Sequence, residues 1–329
     1  MGVDCGSQCY LCSYPIRFDT YKGCSHGCKY CFAQLKVNLD DIRIDNCIES
    51  LRRFVSGRRT QTTSWCDWRI PLHWGGLSDP FQPIERRGGV SLEALRVFAE
   101  TGYPFIVSTK GRLITEEPYL PLLSKCDCVV QVSMACPSYD RMEPGAPTFE
   151  ERLGMLRRLS GHCRRLVVRA QPFLPEVSRE FRKQIPRIAE AGADAVTVEG
   201  MKFKRRVPGT VRVGGDWCYP EERLRSHYEK IRDACHESGL LFLCAENRLR
   251  SMGDSMACCC GDLDGFRPND FNAVSLASGV RAEPTPAMTV PGSAMCFKAS
   301  HQDTLSSARL KMTTFEQEIR GEAARLLGM

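Results

Sequence analysis

Two spacings of apolar residues alternate along the chain from residue 39 onward. Ile42, Ile44, Cys47, Ile48, Leu51 and Phe54 recur at near-helical intervals before Gly57, which predicts a helix. Arg69–Trp74 reads as a strand ending in Gly75-Gly76, and Ser91 as the N-cap of the next helix. Pro104–Thr109 is a strand, Pro118–Leu123 a short helix and Cys128–Met134 a buried strand. Thr148-Phe-Glu-Glu151 matches a capping box opening a helix to Leu159, and Arg165–Ala170 is the strand after it. Phe181, Ile185, Ile188 and Ala189 line one helix face that Gly192 stops. Ala193–Glu199 then reads as a strand, 221–237 as a helix and Leu240–Ala245 as a strand.

Strands alternating with helices at this interval predict βαβ units and a parallel sheet. About six units fit between Cys31 and Ala245, fewer than the eight of a closed barrel. The expected fold is α/β, an open, partial (β/α)6 TIM-like barrel over residues 21–245. A Cys-rich N-terminal segment, 1–20, precedes it. A C-terminal extension, 246–329, holds Cys258–Cys260, a wrapping loop over Phe271–Met295 and a helix from about Thr304 to Leu327. Such sheets carry their functional loops at the C-terminal ends of the strands, where Ser78, Asp79, Lys110, Ser133 and Gln171 fall.

Composition narrows the class. A chain of 329 residues, 43% hydrophobic, can bury a full core. Nineteen cysteines in a long chain with no apolar leader after Met1-Gly-Val-Asp-Cys5 suit reduced, metal-binding, cytoplasmic use better than disulfides. The longest apolar run, Leu240–Ala245, is far short of the ~20 residues of a membrane span, so no membrane association is expected. The net charge of +6 is mild, with one denser basic run at Lys202–Arg206.

Within Tyr21-Lys-Gly-Cys-Ser-His-Gly-Cys-Lys-Tyr-Cys-Phe32, Cys24, Cys28 and Cys31 stand in C-x3-C-x2-C spacing with Tyr30 just before the last. Three thiolates suit a loop around a 4Fe-4S cluster, and since such a cluster normally takes four, one iron stays open. A zinc knuckle is the competing reading. Cys5, Cys9 and Cys12 repeat the spacing. With a further ligand from Cys258, Cys259 or Cys260, they predict an auxiliary iron–sulfur cluster or a structural zinc site, provided the C-terminal segment folds back.

The cysteine loop resembles that of the radical S-adenosylmethionine (SAM) enzymes. An ordered set of stretches makes the resemblance more specific: Gly75-Gly-Leu-Ser-Asp-Pro-Phe-Gln-Pro-Ile-Glu85, Ser108-Thr-Lys110, Val132-Ser133, Met142-Glu-Pro-Gly-Ala-Pro147 with Glu151-Arg152-Leu153, and Ala170-Gln-Pro-Phe-Leu-Pro175. Together they are similar to the spore photoproduct lyase-like branch of that superfamily, over about Tyr21–Ala245. The resemblance implies that SAM chelates the open iron and that the reduced cluster cleaves it to a deoxyadenosyl radical. An electron donor such as flavodoxin or ferredoxin is implied with it. Tyr30 would lie near the adenine, and Ser78, Lys110, Ser133 and Ala170 would neighbour SAM. Asp79 would accept from ribose hydroxyls or cap the turn before Pro80, and Arg152 would belong to the site or to a surface salt bridge. One position departs from the lyase pattern: Gly76 stands where the lyase has its hydrogen-returning cysteine, so lesion repair does not carry over. Cys136 is a substitute donor candidate, or a buried structural thiol.

Three functions remain open from sequence. Modification of a nucleic-acid base, in DNA or RNA, draws on the resemblance, on Lys202–Arg206 and on Trp65, Trp68 and Trp74 as stacking surfaces. Radical chemistry on a peptide or small metabolite draws on the doubled cysteine set. A zinc-bound, non-enzymatic module is the third.

Overall fold

The computed structural model describes residues 2–5, 14, 16–35, 37–44, 47–58, 69–213 and 216–266. Strands β1 (Asp4–Cys5) and β2 (Ile16–Phe18) are followed by an antiparallel pair, β3 (Tyr21–Lys22) and β4 (Arg43–Ile44), and by helix α1 (Ile48–Val55). Alternation then sets in: β5 (Leu72–Trp74), α2 (Glu85–Gly88), α3 (Val90–Thr101), β6 (Phe105–Thr109), α4 (Tyr119–Leu123), β7 (Cys128–Ser133) and α5 (Phe149–Leu159). It continues through β8 (Arg165–Phe173), α6 (Ser178–Glu190) and β9 (Ala195–Gly200). A small insert, β10 (Lys202–Phe203), β11 (Val211–Val213) and β12 (Asp216–Cys218), precedes α7 (Glu221–Glu237) and β13 (Leu241–Cys244).

The main sheet has the order β1-β2-β5-β6-β7-β8-β9-β13. From β2 to β13 every pairing is parallel, and β1 joins antiparallel at the edge. Because β1 and β13 do not pair, the barrel is open, as the sequence predicts. The six expected strands are present, and β2 adds a seventh parallel one; three residues are too few to show a period of two.

Two local expectations are corrected. The helix predicted from Ile42 starts at Ile48, because Ile44 pairs with Tyr21 in the β3–β4 ladder and is 55% exposed. Ser91 is not the N-cap of α3: it lies inside the helix, buried, and Gly89 in the left-handed region takes the cap position. The orphan N–H groups of Ser91 and Leu92 donate instead to the buried Glu85 carboxylate, each at 2.9 Å. The capping box at α5 forms as predicted: Glu151 N donates to Thr148 Oγ1 and Thr148 N donates to the Glu151 carboxylate.

Strand alternation divides the sheet into two faces. Phe105 and Val107, Val130 and Val132, Val168 and Ala170, Val196 and Val198 join the large core under the helices. Ile106, Val129, Val167, Ala195 and Leu243 point the other way, into a smaller cluster with Tyr14, Cys258–Cys260 and Phe266. Trp74 is fully buried among Phe81, Phe98 and Phe105, at centroid separations of 5.4 to 5.8 Å, so it is a core residue and not a stacking surface. Trp65 and Trp68, like the wrapping loop and the terminal helix, lie outside the described residues.

Candidate functional site

After β2 the chain turns across the C-terminal end of the sheet and carries Cys24, Cys28 and Cys31 there as free, partly buried thiols. Main-chain bonds fasten this loop to its neighbours. Cys24 N donates to Leu39 O at 2.9 Å, Lys29 N to Met142 O at 2.9 Å, and Gly145 N to His26 O at 2.9 Å. Gln82, from the loop after β5, accepts from Ser25 N at 2.9 Å and donates to Gly23 O at 3.1 Å. Position 145 has no room for a side chain, since a Cβ there would stand 2.3 Å from Ser25 O.

Asp79 is the buried hub beneath the loop. Its carboxylate accepts from Phe81 N at 2.9 Å, Thr109 Oγ1 at 2.7 Å and Lys110 N at 2.6 Å, and pairs with His26 Nε2 at 3.1 Å. Burial alone would raise its pKa, but His26 and these donors hold it at about 2. Asp79 thus caps the turn before Pro80, and its oxygens are engaged within the protein. Ser78 is similarly occupied, donating from its hydroxyl to Tyr21 O at 2.7 Å. Asp19 accepts from Leu77 N at 2.9 Å and Ser78 N at 3.2 Å. Its burial outweighs those donors and Arg17, and pushes its pKa up to about 6.

A second buried network flanks the thiols. Glu143 accepts from the Tyr30 hydroxyl, pairs with Arg152 at 2.5 Å, and lies 3.9 Å from Lys110 Nζ. Lys110 Nζ stands 5.8 Å from the Tyr30 ring centroid. Arg152 is 1% exposed and also donates to Ser133 O at 2.7 Å, which replaces the expectation of a surface salt bridge with an internal strut. Glu143 and His26 were not singled out from sequence, although both lie inside the motifs that were.

Burial, then the charges of Asp79 and Cys28, push the Cys24 thiol up to about 12. Burial raises Cys28 too, with Lys110 pulling the other way. Cys28 adds to the rise at Cys24 and Cys31 adds to the rise at Cys28, so the three sulfurs stand near one another. Among the described residues no three Cys, His, Asp or Glu side chains converge on a single metal ion. A multi-iron cluster does not need such convergence, because its thiolates take different irons, and the three thiols of this loop fit a cluster with one open iron.

Cys136 packs in the helix-covered core, its Sγ 3.3 Å from Ser138 Oγ, and burial pushes it up to about 12. Ala170 is buried in the same core. The opposite face carries a row of polar side chains, of which the sequence singles out Gln171 alone. His73 Nε2 lies 3.0 Å from Ser108 Oγ, which donates to Gln131 at 2.7 Å. Arg169 donates to Ser108 and Gln131 and, through Nε, to Gln171, which donates to Glu199. The missed signal was a polar residue at alternate places within otherwise apolar strands.

The C-terminal segment does fold back onto this face. Gln131 Nε2 donates to Cys259 O at 2.8 Å, Tyr14 OH to Phe266 O at 2.7 Å and Cys260 Sγ to Tyr14 OH at 3.3 Å. Cys258, Cys259 and Cys260 are buried, with 3.8 Å between the first two sulfurs. Cys5 lies in β1, whereas Cys9 and Cys12 fall outside the described residues.

No family model matches the chain. The fold is similar to that of spore photoproduct lyase. Its complex with dinucleoside spore photoproduct aligns at a TM-score of 0.58 and 17% identity, over 73% of this chain and 78% of that one. A mutant with bound AdoMet and dinucleoside spore photoproduct aligns at 0.56 and 16%, over 69% and 76%. Identity at this level shows shared architecture, an open partial barrel. Among curated proteins, uncharacterized proteins of Mycobacterium tuberculosis and Mycobacterium bovis are each 30% identical over 235 residues, covering 66% of this chain and 67% of the relative. At that identity and extent, the chain belongs to the same family as these mycobacterial proteins.

Proposed function

We propose that the protein is a radical SAM enzyme that modifies a nucleic-acid base or nucleotide. The observation that carries the radical SAM reading is the three-thiol loop at the C-terminal end of an open parallel sheet, fastened by Gln82, Asp79 and Met142–Gly145. Cys24, Cys28 and Cys31 would hold the cluster. Bound there with a one-electron donor, cluster and SAM would supply radical chemistry able to take hydrogen from an unactivated carbon. Lys110 and Ser133 suit the SAM carboxylate, as ammonium and hydroxyl donors. Tyr30, held by Glu143, would offer the adenine an aromatic surface. The polar row on the inner face then orients the substrate. A one-electron donor such as flavodoxin or ferredoxin and a reducing cytoplasm complete the requirements.

The nucleic-acid reading draws support from the insert after β9. Arg205 and Arg206 are exposed there, Arg206 lies 5.8 Å from the Trp217 ring centroid, and Arg212 is exposed on β11. Lys202 and Lys204 are engaged with Glu199 and Asp216. The alternative, a peptide or small-metabolite substrate, is favoured by the polar inner face itself. Gly76, where the lyase has cysteine, argues against spore photoproduct as the substrate. Cys5, Cys9 and Cys12 with one of Cys258–Cys260 remain the proposed auxiliary metal site.

Anaerobically purified protein, reduced in the presence of SAM, is expected to release deoxyadenosine. Cys24→Ala, Cys28→Ala and Cys31→Ala should each abolish it, and persistence in any one overturns the assignment. Steep loss of DNA or RNA affinity with rising salt supports the nucleic-acid reading; absence of binding transfers it to the metabolite.

A further inference from the structure

We propose that Arg169 is the anchor for an oxyanion, a carboxylate or phosphoryl group, of the substrate. This deepens the enzymatic reading by naming a chemical feature of what enters the barrel. Arg169 projects from the middle of β8 onto the inner face, opposite Ser133 on one side and Thr197 on the other in the strand register. Its contacts are all neutral: Ser108 Oγ at 3.2 Å, Gln131 Oε1 at 3.0 Å and Gln171 Oε1. Among the described residues no carboxylate lies within ion-pair distance of it.

The neighbouring charges are accounted for differently. Glu199 is paired with Lys202, Glu246 with Arg248 at 3.0 Å, and Arg17 acts on Asp19. A partly buried guanidinium with only neutral partners carries a desolvation cost that an entering anion offsets. Five donors in a planar fork also suit two oxygens of one group.

A second observation points to the same place. Arg169, Gln171, Thr197, Glu199 and Cys258 line a cavity of about 10 Å³, space for one water-sized group. Thr197 is 3% exposed, and its Oγ1 has no hydrogen-bond partner among the described residues. A buried hydroxyl of this kind costs free energy unless something fills its bonding capacity. An oxygen of an anion held by Arg169 would accept from it.

The test uses the full chain without reductant, so it is independent of SAM cleavage. Acetate and inorganic phosphate are titrated separately at constant ionic strength, with binding followed by calorimetry or by broadening of the 13C-acetate and 31P resonances. Saturable binding of one or both in the millimolar range is expected, and whichever saturates more tightly identifies the anion class. Arg169→Met should weaken it about tenfold or more, Arg169→Lys less, and the near-isosteric Thr197→Val severalfold. Should Arg169→Met not fold, Arg169→Lys and Thr197→Val carry the test. Absence of saturation in the wild type, or equal binding by the folded variants, overturns the proposal. So does complete displacement of the anion by SAM, which would make Arg169 a contact for the cofactor's own carboxylate.

Discussion

Cysteines gather at two places in the described structure, and the protein holds them by different means. The Cys24–Cys31 loop adds to its main-chain bonds a buried network of ionisable side chains: Asp79 with His26, and Glu143 with Arg152, Tyr30 and Lys110. The Cys258–Cys260 segment is held by its own carbonyls. Gln131 donates to Cys259 O, Arg165 to Cys260 O, Arg164 to Asp264 O and Tyr14 to Phe266 O. A charge network fixes side-chain geometry but fails sharply when one partner is lost. Carbonyl clamps fix only the path of the chain. The first arrangement suits a centre whose sulfurs must keep their places; the second suits a plug that fills the inner face.

The largest break in this comparison is Cys28→Ala, expected to eliminate deoxyadenosine formation and loop iron together, while Cys260→Ala preserves both; iron assay and chromatography decide. Next comes Asp79→Ala, which strands His26 and the donors around it and should cost about 3–5 kcal/mol in denaturant unfolding. Equal stability to the wild type would show that the loop rests on its main-chain bonds alone.

Asp19 sharpens the contrast with the opposite sign. Its pKa is raised from 3.8 to about 6 in the fold, so the native state keeps a proton that the unfolded chain releases. Stability should therefore fall as pH rises from about 4 to 6, by roughly 3 kcal/mol in all. Asp19→Asn should flatten that slope and stabilise the protein at neutral pH, a result that thermal unfolding across this interval reads directly. Asp79 contributes oppositely, its stabilisation present above 3.8 and lost as pH falls towards about 2. The smallest effect is assigned to Cys260→Ala, about 1 kcal/mol, from one weak sulfur hydrogen bond and a minor packing loss. That outcome leaves Cys258 or Cys259 as the ligand of the proposed auxiliary site, and a loss several times larger would move that role to Cys260.

The same division explains what the sequence disclosed. Strong periodic elements such as α5 with its capping box, α7 and β6 through β9 were legible because local pattern and burial agree. The α3 cap was not, since Glu85, a residue outside that helix, supplies it. The cysteine loop announced itself by spacing. Its supports did not: Arg152 and Glu143 look like ordinary surface charges until the fold buries them against each other. Arg169, Gln131 and Thr197 were hidden for a related reason, since one polar residue in an apolar strand acquires meaning only when its neighbours in other strands fall beside it.

The contact between residue 145 and the Ser25 carbonyl has a corollary for substitution. The depth at which the sulfurs sit is limited by backbone meeting backbone, so side chains at surrounding surface positions can change and still leave the cysteine loop at the same height. A single methyl group at 145 would lift that ceiling, whatever else had been kept.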